Sequence, residues 1–319
     1  MKLCMPDPYA AEPAQYHVAA WTRSWHRLCK LAYLLGHLPQ HLALQRVLDA
    51  TVRPAGPGRF DAIRFKYLRL YLAHGLSFGA RRACLLTHYE FCRSVGASHR
   101  ARLLFEGEMP LWAEYRKGHS LALELHPVSL TFKEGELALH FLLDRKLVAM
   151  LTCSVVPGAV FGATAERVLF IGGLQGRPGT REATRLAARL NNEIAPLTML
   201  VLAAQALAGA WGLGGIVGVS AAHQVAAEGH LASAQIRAKA GERKKHYDDV
   251  WRAAGGVALA AWGYTLPLDP RVGGQTEPLG THRTRTRRRR VLRVALYQDI
   301  LAAARAAAPG RRGSATPPA

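Results

Sequence analysis

The stretch Gln175-Gly176-Arg177-Pro178-Gly179-Thr180-Arg181 gathers residue types that hold anions. Glycine lets a ligand approach the backbone, and Gly179 can take a positive φ. Thr180 stands where a helix would begin and is suited to cap it. The first N–H groups of a helix lack partners inside it, so such a start attracts phosphate. Arg177, Arg181 and Arg185 add positive charge. Gln175, Gly176, Arg177, Gly179, Thr180 and Arg181 are therefore the candidate cofactor-binding residues, set against the alternative of a tight corner that holds nothing. The spacing matches neither a P-loop nor the Gly-x-Gly-x-x-Gly turn of dinucleotide-binding folds.

His223 is the second candidate. It follows the apolar stretch "GIVGVS", at the carboxyl end of a strand, where open α/β sheets place their ligands. A histidine there could deprotonate an amine near neutral pH; the alternative is a histidine that bonds a neighbour at a helix start. His88 and Tyr89 lie among Leu85, Leu86 and Phe91 and are expected to pack. Asp248 and Asp249 are expected to pair locally with the preceding Arg-Lys-Lys. Glu106, Glu108 and Glu114 have no metal-ligand spacing, and no Ser-His-Asp or Cys-His set can be assembled.

Positioning these residues requires a mixed α/β domain. Residues 15 to about 110 read as helical, with Trp21, Trp25, Leu28, Ala32 and Leu35 on one stripe. "PAGPG" (54–58) breaks the run. Two further helices are expected on either side of Gly75, the second capped by Ser77. From about residue 120 the period becomes two: Leu121, Leu123, Leu125, Val128, Leu130 and Phe132, then, after the turn "KEGE", Leu137, Leu139, Phe141 and Leu143. "RVLFIGGL" adds a strand. Helices 180–191 and 197–210, strand 216–220, helices 224–240 and 243–253 and a short strand in "WGYTLPL" follow. The expected organisation is a disordered 1–14, a helical portion 15–115, a mixed α/β portion 116–280, a basic helix 281–307 and a disordered tail 308–319. The boundary at 110–118 is soft, which allows the two central portions to share a core.

Composition narrows the setting. The chain has 319 residues, enough for one large domain or two modest ones, and half are hydrophobic. Its formal net charge is +20, with the densest basic run at 281–293. That run suits anionic lipid or an acidic partner, and contact with an anionic membrane through Arg283–Arg293 is one expectation, set against the alternative of a solvated, arginine-rich helix start followed by a disordered tail. Nucleic acid is not expected, because no aromatic residues interleave the arginines. Five cysteines without a CxxC pair argue against a disulfide framework or a zinc site. The N-terminus lacks the apolar run of a signal peptide. Ile194 to Ala227 carries no Lys, Arg, Asp or Glu, but "GAWGLGG" punctuates it, so it reads as a buried helix, a turn and a strand rather than a membrane span. The expectation is a cytoplasmic protein, with peripheral contact at the inner membrane left open, and no metal.

Five segments together resemble the VirK/YbjX family of bacterial proteins: "HGLSFGARRACLLTHYEF" (74–91), "LFIGGLQG" (169–176), "VSAAHQV" (219–225), "KKHYDDVWRAAGG" (244–256) and "RTRRRRVLRVALYQDI". The resemblance covers roughly residues 60–305, in consistent order. It departs at Ala221, where Asn is usual, and at "ARLNNEIAPL", where the family usually carries a "HGLRPK"-like stretch. It implies a protein of Gram-negative bacteria without an assigned reaction. Some members are associated with virulence, with display of a surface protein and with withstanding antimicrobial peptides or envelope stress. For this chain the expectation is a role of that kind exerted through a protein partner or a small anionic ligand.

The element order is also similar to that of GNAT-type N-acyltransferases, in which antiparallel strands lead to a strand, a phosphate-cradling loop and a helix. That resemblance implies a largely antiparallel GNAT-like sheet flanked by helices, with acyl-CoA as donor. The loop is imperfect, since "QGRPGT" places its second glycine one position late. Trp251 occupies the position of the family's proton-donating tyrosine, and Tyr247 lies one helical turn earlier on the same face. Tyr247 joins His223 as the catalytic candidates.

Overall fold

Alternating apolar residues fold the middle of the chain into a meander. The computed structural model describes residues 20–52, 61–95, 104, 107–128, 132–225, 247–271 and 283–307. Strands β1 (Met109–Arg116), β2 (His119–Pro127), β3 (Leu137–Leu143), β4 (Lys146–Pro157) and β5 (Arg167–Gly176) pair antiparallel in chain order. Two of the connections are two-residue turns with both φ angles positive, Lys117-Gly118 at 49° and 84° and Asp144-Arg145 at 50° and 61°. That geometry matches the twist of the flanking strands. Asp144 ties the turns together, accepting from Ser120 N at 2.9 Å and meeting His119 Nδ1 at 2.7 Å.

After β5 the chain forms helices before returning as β6 (Ile216–Val219), parallel to β5. Helix α5 (Arg181–Leu190) and helix α6 (Pro196–Ala210) make this crossover. A helical stretch at 247–253 precedes β7 (Val257–Ala258) and β8 (Gly263–Leu266). The eight strands lie in the order β1-β2-β3-β4-β5-β6-β8-β7, and β5/β6 is the parallel pair. This is the mixed α/β, largely antiparallel sheet with flanking helices that the pattern of elements predicts.

The charge-free stretch after Ile194 resolves as expected into a buried helix, a glycine turn and a strand. Every residue of α6 from Met199 to Ala208 is buried. Gln205 satisfies its amide by donating to Pro267 O at 2.8 Å. Among the described residues, no helix is long and apolar enough to cross a membrane. Helix α4 (Phe78–Ser94) packs against β4, and the C-terminal helix (Arg283–Ala307) packs against α6 and β1. Ser77 caps α4, its Oγ accepting from Ala80 N at 3.2 Å.

Several expectations change. The helix foreseen before Gly75 reduces to Asp61–Arg64 and a single turn at Lys66–Leu68. Tertiary contacts override its helical pattern: Leu72 takes φ 63°, donates to Lys133 O at 2.8 Å and is fully buried. The first strand begins at Met109, before the change of period expected near 120. Residues 221–223 form a turn and Gln224 a bridge to Ala73 where helix 224–240 is expected to begin; Val225 is in a 3-10 turn, and the remainder of that helix lies outside the described residues. So do residues 243–246, Leu130, the 1–14 and 308–319 segments and the first two residues of the basic helix, which is helical from Arg283.

The described chain divides into two compact units between Gln45 and Arg46. In the first, α1 (Ala20–Gly36) carries the expected apolar stripe, but Leu28 and Leu35 are 57 % and 63 % exposed. The side chains of Trp21 and Trp25 lie outside the described residues.

Candidate functional site

The site begins at an irregularity in β5. Thr152 pairs with Gly173 and Cys153 with Ile171, so Gly172 is an extra residue on β5. A bulge of this kind bends a strand and re-aims its neighbours. The segment 133–136 lies across it. Gly135 fits closely against Cys153, whose carbonyl would be 2.8 Å from an added Cβ, and Glu136 N donates to Cys153 O at 3.1 Å. A side chain on Gly172 would collide with the main chain of Glu134. One on Gly173 would collide with Glu134 Oε2 and Thr152 Oγ1. The glycine pair is therefore explained by Glu134, its main chain against Gly172 and its carboxylate against Gly173, without any phosphate.

Glu134 is 7 % exposed. Burial pushes its carboxyl up to about 7, against the opposing pull of Thr152 and Gln224 beside it. Despite that proximity, neither Glu134 Oε2 nor Thr152 Oγ1 meets a partner at hydrogen-bonding geometry. Two buried acceptor-bearing groups thus converge on the bulge with capacity to spare.

Tyr247 supplies the other wall. Its hydroxyl accepts from Leu174 N and, at 3.0 Å, from Gln224 Nε2. Two N–H donors occupy the oxygen, which leaves the phenol its own proton to give. Burial and the nearby Glu134 raise its pKa well above the usual value, so it stays protonated. Leu174 lies past the last residue of β5 that pairs with β6, since their pairing covers Leu169–Ile171. Tyr247 therefore stands just beyond the end of the parallel pairing. Trp251, one turn later, serves the core instead: it is fully buried, and its Nε1 donates to Val219 O at 2.8 Å.

The predicted glycine turn lies at the end of the same strand. Gly179 takes φ 79° as expected, and Gly176 is open, with nothing within 4 Å of an added Cβ. Arg177 and Arg181 are exposed. Two of the amides are already engaged, Arg177 N by Val148 O at 2.8 Å and Thr180 N by Arg177 O at 3.3 Å. The capping expected of Thr180 does not form. Its backbone, at φ −102° and ψ 21°, lacks the extended geometry of an N-cap, and its hydroxyl donates to Arg177 O at 2.7 Å. Gln175, at the strand's end, is partly buried opposite Met150.

His223 follows β6 as foreseen, but it is oriented by other neighbours. Nδ1 meets Ser220 Oγ at 2.9 Å, and its ring centre is 5.2 Å from that of Trp262. Its carbonyl accepts from His74 N at 2.8 Å. Asp248 holds Ala221 N at 3.1 Å and Asp249 pairs with Arg252 at 3.0 Å.

A second buried polar group lies on the adjoining residues. Lys66 Nζ meets Glu136 Oε1 at 2.6 Å, and the Tyr89 hydroxyl donates to Glu136 Oε2 at 3.0 Å. Lys66 also lies 5.0 Å from the centre of the Tyr71 ring. His88, fully buried, accepts from Val155 N at 3.3 Å, and desolvation lowers its pKa to about 4. His88 and Tyr89 are thus packed as expected, with polar roles that helical spacing does not reveal. Among the described residues, no group of three or more His, Cys, Asp or Glu could hold a metal ion.

A family model described as "Protein of unknown function" (DUF535) matches residues 32–300. No curated protein and no solved structure matches the chain.

Proposed function

The chain belongs to the DUF535 (VirK/YbjX) family, and from that footing we propose that it acts in bacterial envelope or stress physiology on a small ligand bound at the β5 bulge. The reaction we propose there is transfer of an acyl group from a thioester donor, of the acyl-CoA or acyl-carrier class, to an amine. The observation that carries this reading is Glu134: a buried carboxyl held near neutrality, with an unpartnered oxygen facing the bulge. A general base works best when its pKa lies near the operating pH.

In this scheme the amine nitrogen forms a bond to the thioester carbon and the carbon–sulfur bond breaks. Glu134 takes the amine's proton, and the Tyr247 hydroxyl protonates the departing sulfur. Tyr247 replaces Trp251 in the role that the acyltransferase resemblance implies, because its oxygen is the one directed at β5. His223 is left to fix the turn after β6. The anionic part of the donor falls to Arg177, Arg181 and the first N–H groups of α5, among them that of Arg181. The engaged amides of Arg177 and Thr180 contribute nothing directly, which makes the guanidiniums the principal anion contacts. The strand order supports the same reading, since the parallel pairing of β5 with β6 ends beside the bulge.

A thermal-shift titration with coenzyme A and acyl-CoA species tests the donor. Ligand at 100 times its dissociation constant should add about 2.7 kcal/mol. Gly176→Glu should abolish the shift without harming the fold, since that position is open. Glu134→Gln should keep the shift and lose about 10²- to 10⁴-fold in turnover with an amine acceptor. Absence of any shift would dismiss the acyl donor and leave a protein partner or another small ligand.

A further inference from the structure

The corner between α5 and α6 collects hydrogen-bond donors that have nothing to donate to. Asn191 is 1 % exposed, and its Nδ2 has no partner. The buried Nε atoms of Arg289 and Arg293 have none either. All three groups are N–H donors, and an unpartnered buried donor is costly to keep.

Three elements bring these groups to one place. Arg116, at the end of β1, donates from Nη1 to Leu190 O at 3.1 Å, one residue before Asn191. Arg289, on the C-terminal helix, reaches Glu193 Oε2 at 3.9 Å, two residues after Asn191. Arg293 follows Arg289 by one helical turn, on the same face. The corner itself places Asn192 and Glu193 at φ 51° and 63°. Burial and the like charges of Arg289 and Arg290 lower the pKa of Arg293. Repulsion of this kind, among donors that the Glu193 carboxylate at 3.9 Å from Arg289 does not satisfy, is relieved by an anion with several acceptor oxygens.

We propose that this corner is a binding site for a phosphate group, held by Asn191, Arg289 and Arg293 with Arg116 beside them. The phosphate is that of a soluble ester or of a lipid headgroup. Exposed Arg287, Arg288 and Val291 continue the helix outward from the site. The inference does not depend on acyl transfer, because the residues and the ligand are different.

The test uses the full chain. Inorganic phosphate should raise the melting temperature saturably, while chloride at equal ionic strength should not. Arg293→Gln should weaken the phosphate midpoint at least tenfold. Asn191→Asp, which supplies an acceptor from within, should melt higher without ligand and respond little to phosphate. Flotation with phosphatidic acid in phosphatidylcholine vesicles separates the sources. Binding that phosphate competes away and that Arg293→Gln loses assigns the site to a headgroup; a phosphate response without flotation assigns it to a soluble ester. Equal responses to phosphate and chloride, or an unchanged midpoint in Arg293→Gln, would overturn the proposal.

Discussion

Glu134 gives the protein a recognisable pH profile. An ordinary glutamate releases its proton near 4.5, whereas Glu134 in the fold does so near 7. Between those values the folded chain holds a proton that the unfolded chain has released, so stability falls as pH rises, by about 3 kcal/mol across the window. His88 and His140 act in the opposite sense. Burial lowers them from 6.5 to about 4 and about 3, respectively, the nearby His126 adding to the effect at His140. Below pH 6.5 the unfolded chain takes up protons at these positions that the fold refuses, so stability falls as pH drops. Two histidines outweigh one glutamate at acid pH and the opposing effects nearly cancel near pH 7, so the contribution of these three groups levels off around neutrality. Glu134→Gln should remove that cancellation, so that stability climbs more steeply between pH 5 and 7 and the loss on the acid side deepens. Urea unfolding across pH 4.5–7.5 measures the slope. A pH dependence unchanged by the substitution would show that Glu134 is already ionised in the fold.

At the scale of elements, the segment 133–136 joins two buried polar groups through alternate residues. Glu134 faces the bulge and Glu136 pairs with Lys66. Removing one partner of a buried pair leaves the other uncompensated, at a cost of about 3–5 kcal/mol. Lys66→Met should show a loss of that size in chemical denaturation, while Lys66→Met with Glu136→Leu should recover much of it. These elements also show what the sequence reveals. Period-two alternation exposes β2 and β3 directly, because one face of each is buried. It fails for β1, whose residues from Ala113 onward are exposed or only partly buried, so hydrophobicity does not mark the strand. The glycine turn and Tyr247 are legible because their types are distinctive. Glu134, Thr152 and Gln224 are not. "KEGE" reads as a turn, and only the register of β4 against β5, with Gly172 inserted, brings its glutamate over Gly173. The two glycines of "GGLQG" carry a signal, but it reports a close approach without naming what approaches.

Across the whole molecule, the C-terminal helix closes the architecture. Tyr297, Ile300, Leu301 and Ala304, spaced at helical intervals, are buried on α6 and the region of β1. Ile300→Asp places a charge in that contact and should destabilise the fold by several kcal/mol. Circular dichroism should show an earlier thermal transition, and a melting temperature within a degree of the parent's would contradict the packing. Formal net charge and the basic run are plain in the sequence, whereas the docking of this helix against the first strand is not, because nothing local links residues almost two hundred positions apart.

That docking also governs how the chain comes to be made. β1 emerges from the ribosome long before the helix that covers it, and α6 waits for the same cover. Nascent intermediates must therefore keep apolar surface uncovered until residues near 300 have been synthesised, a delay during which a chaperone would find its natural client.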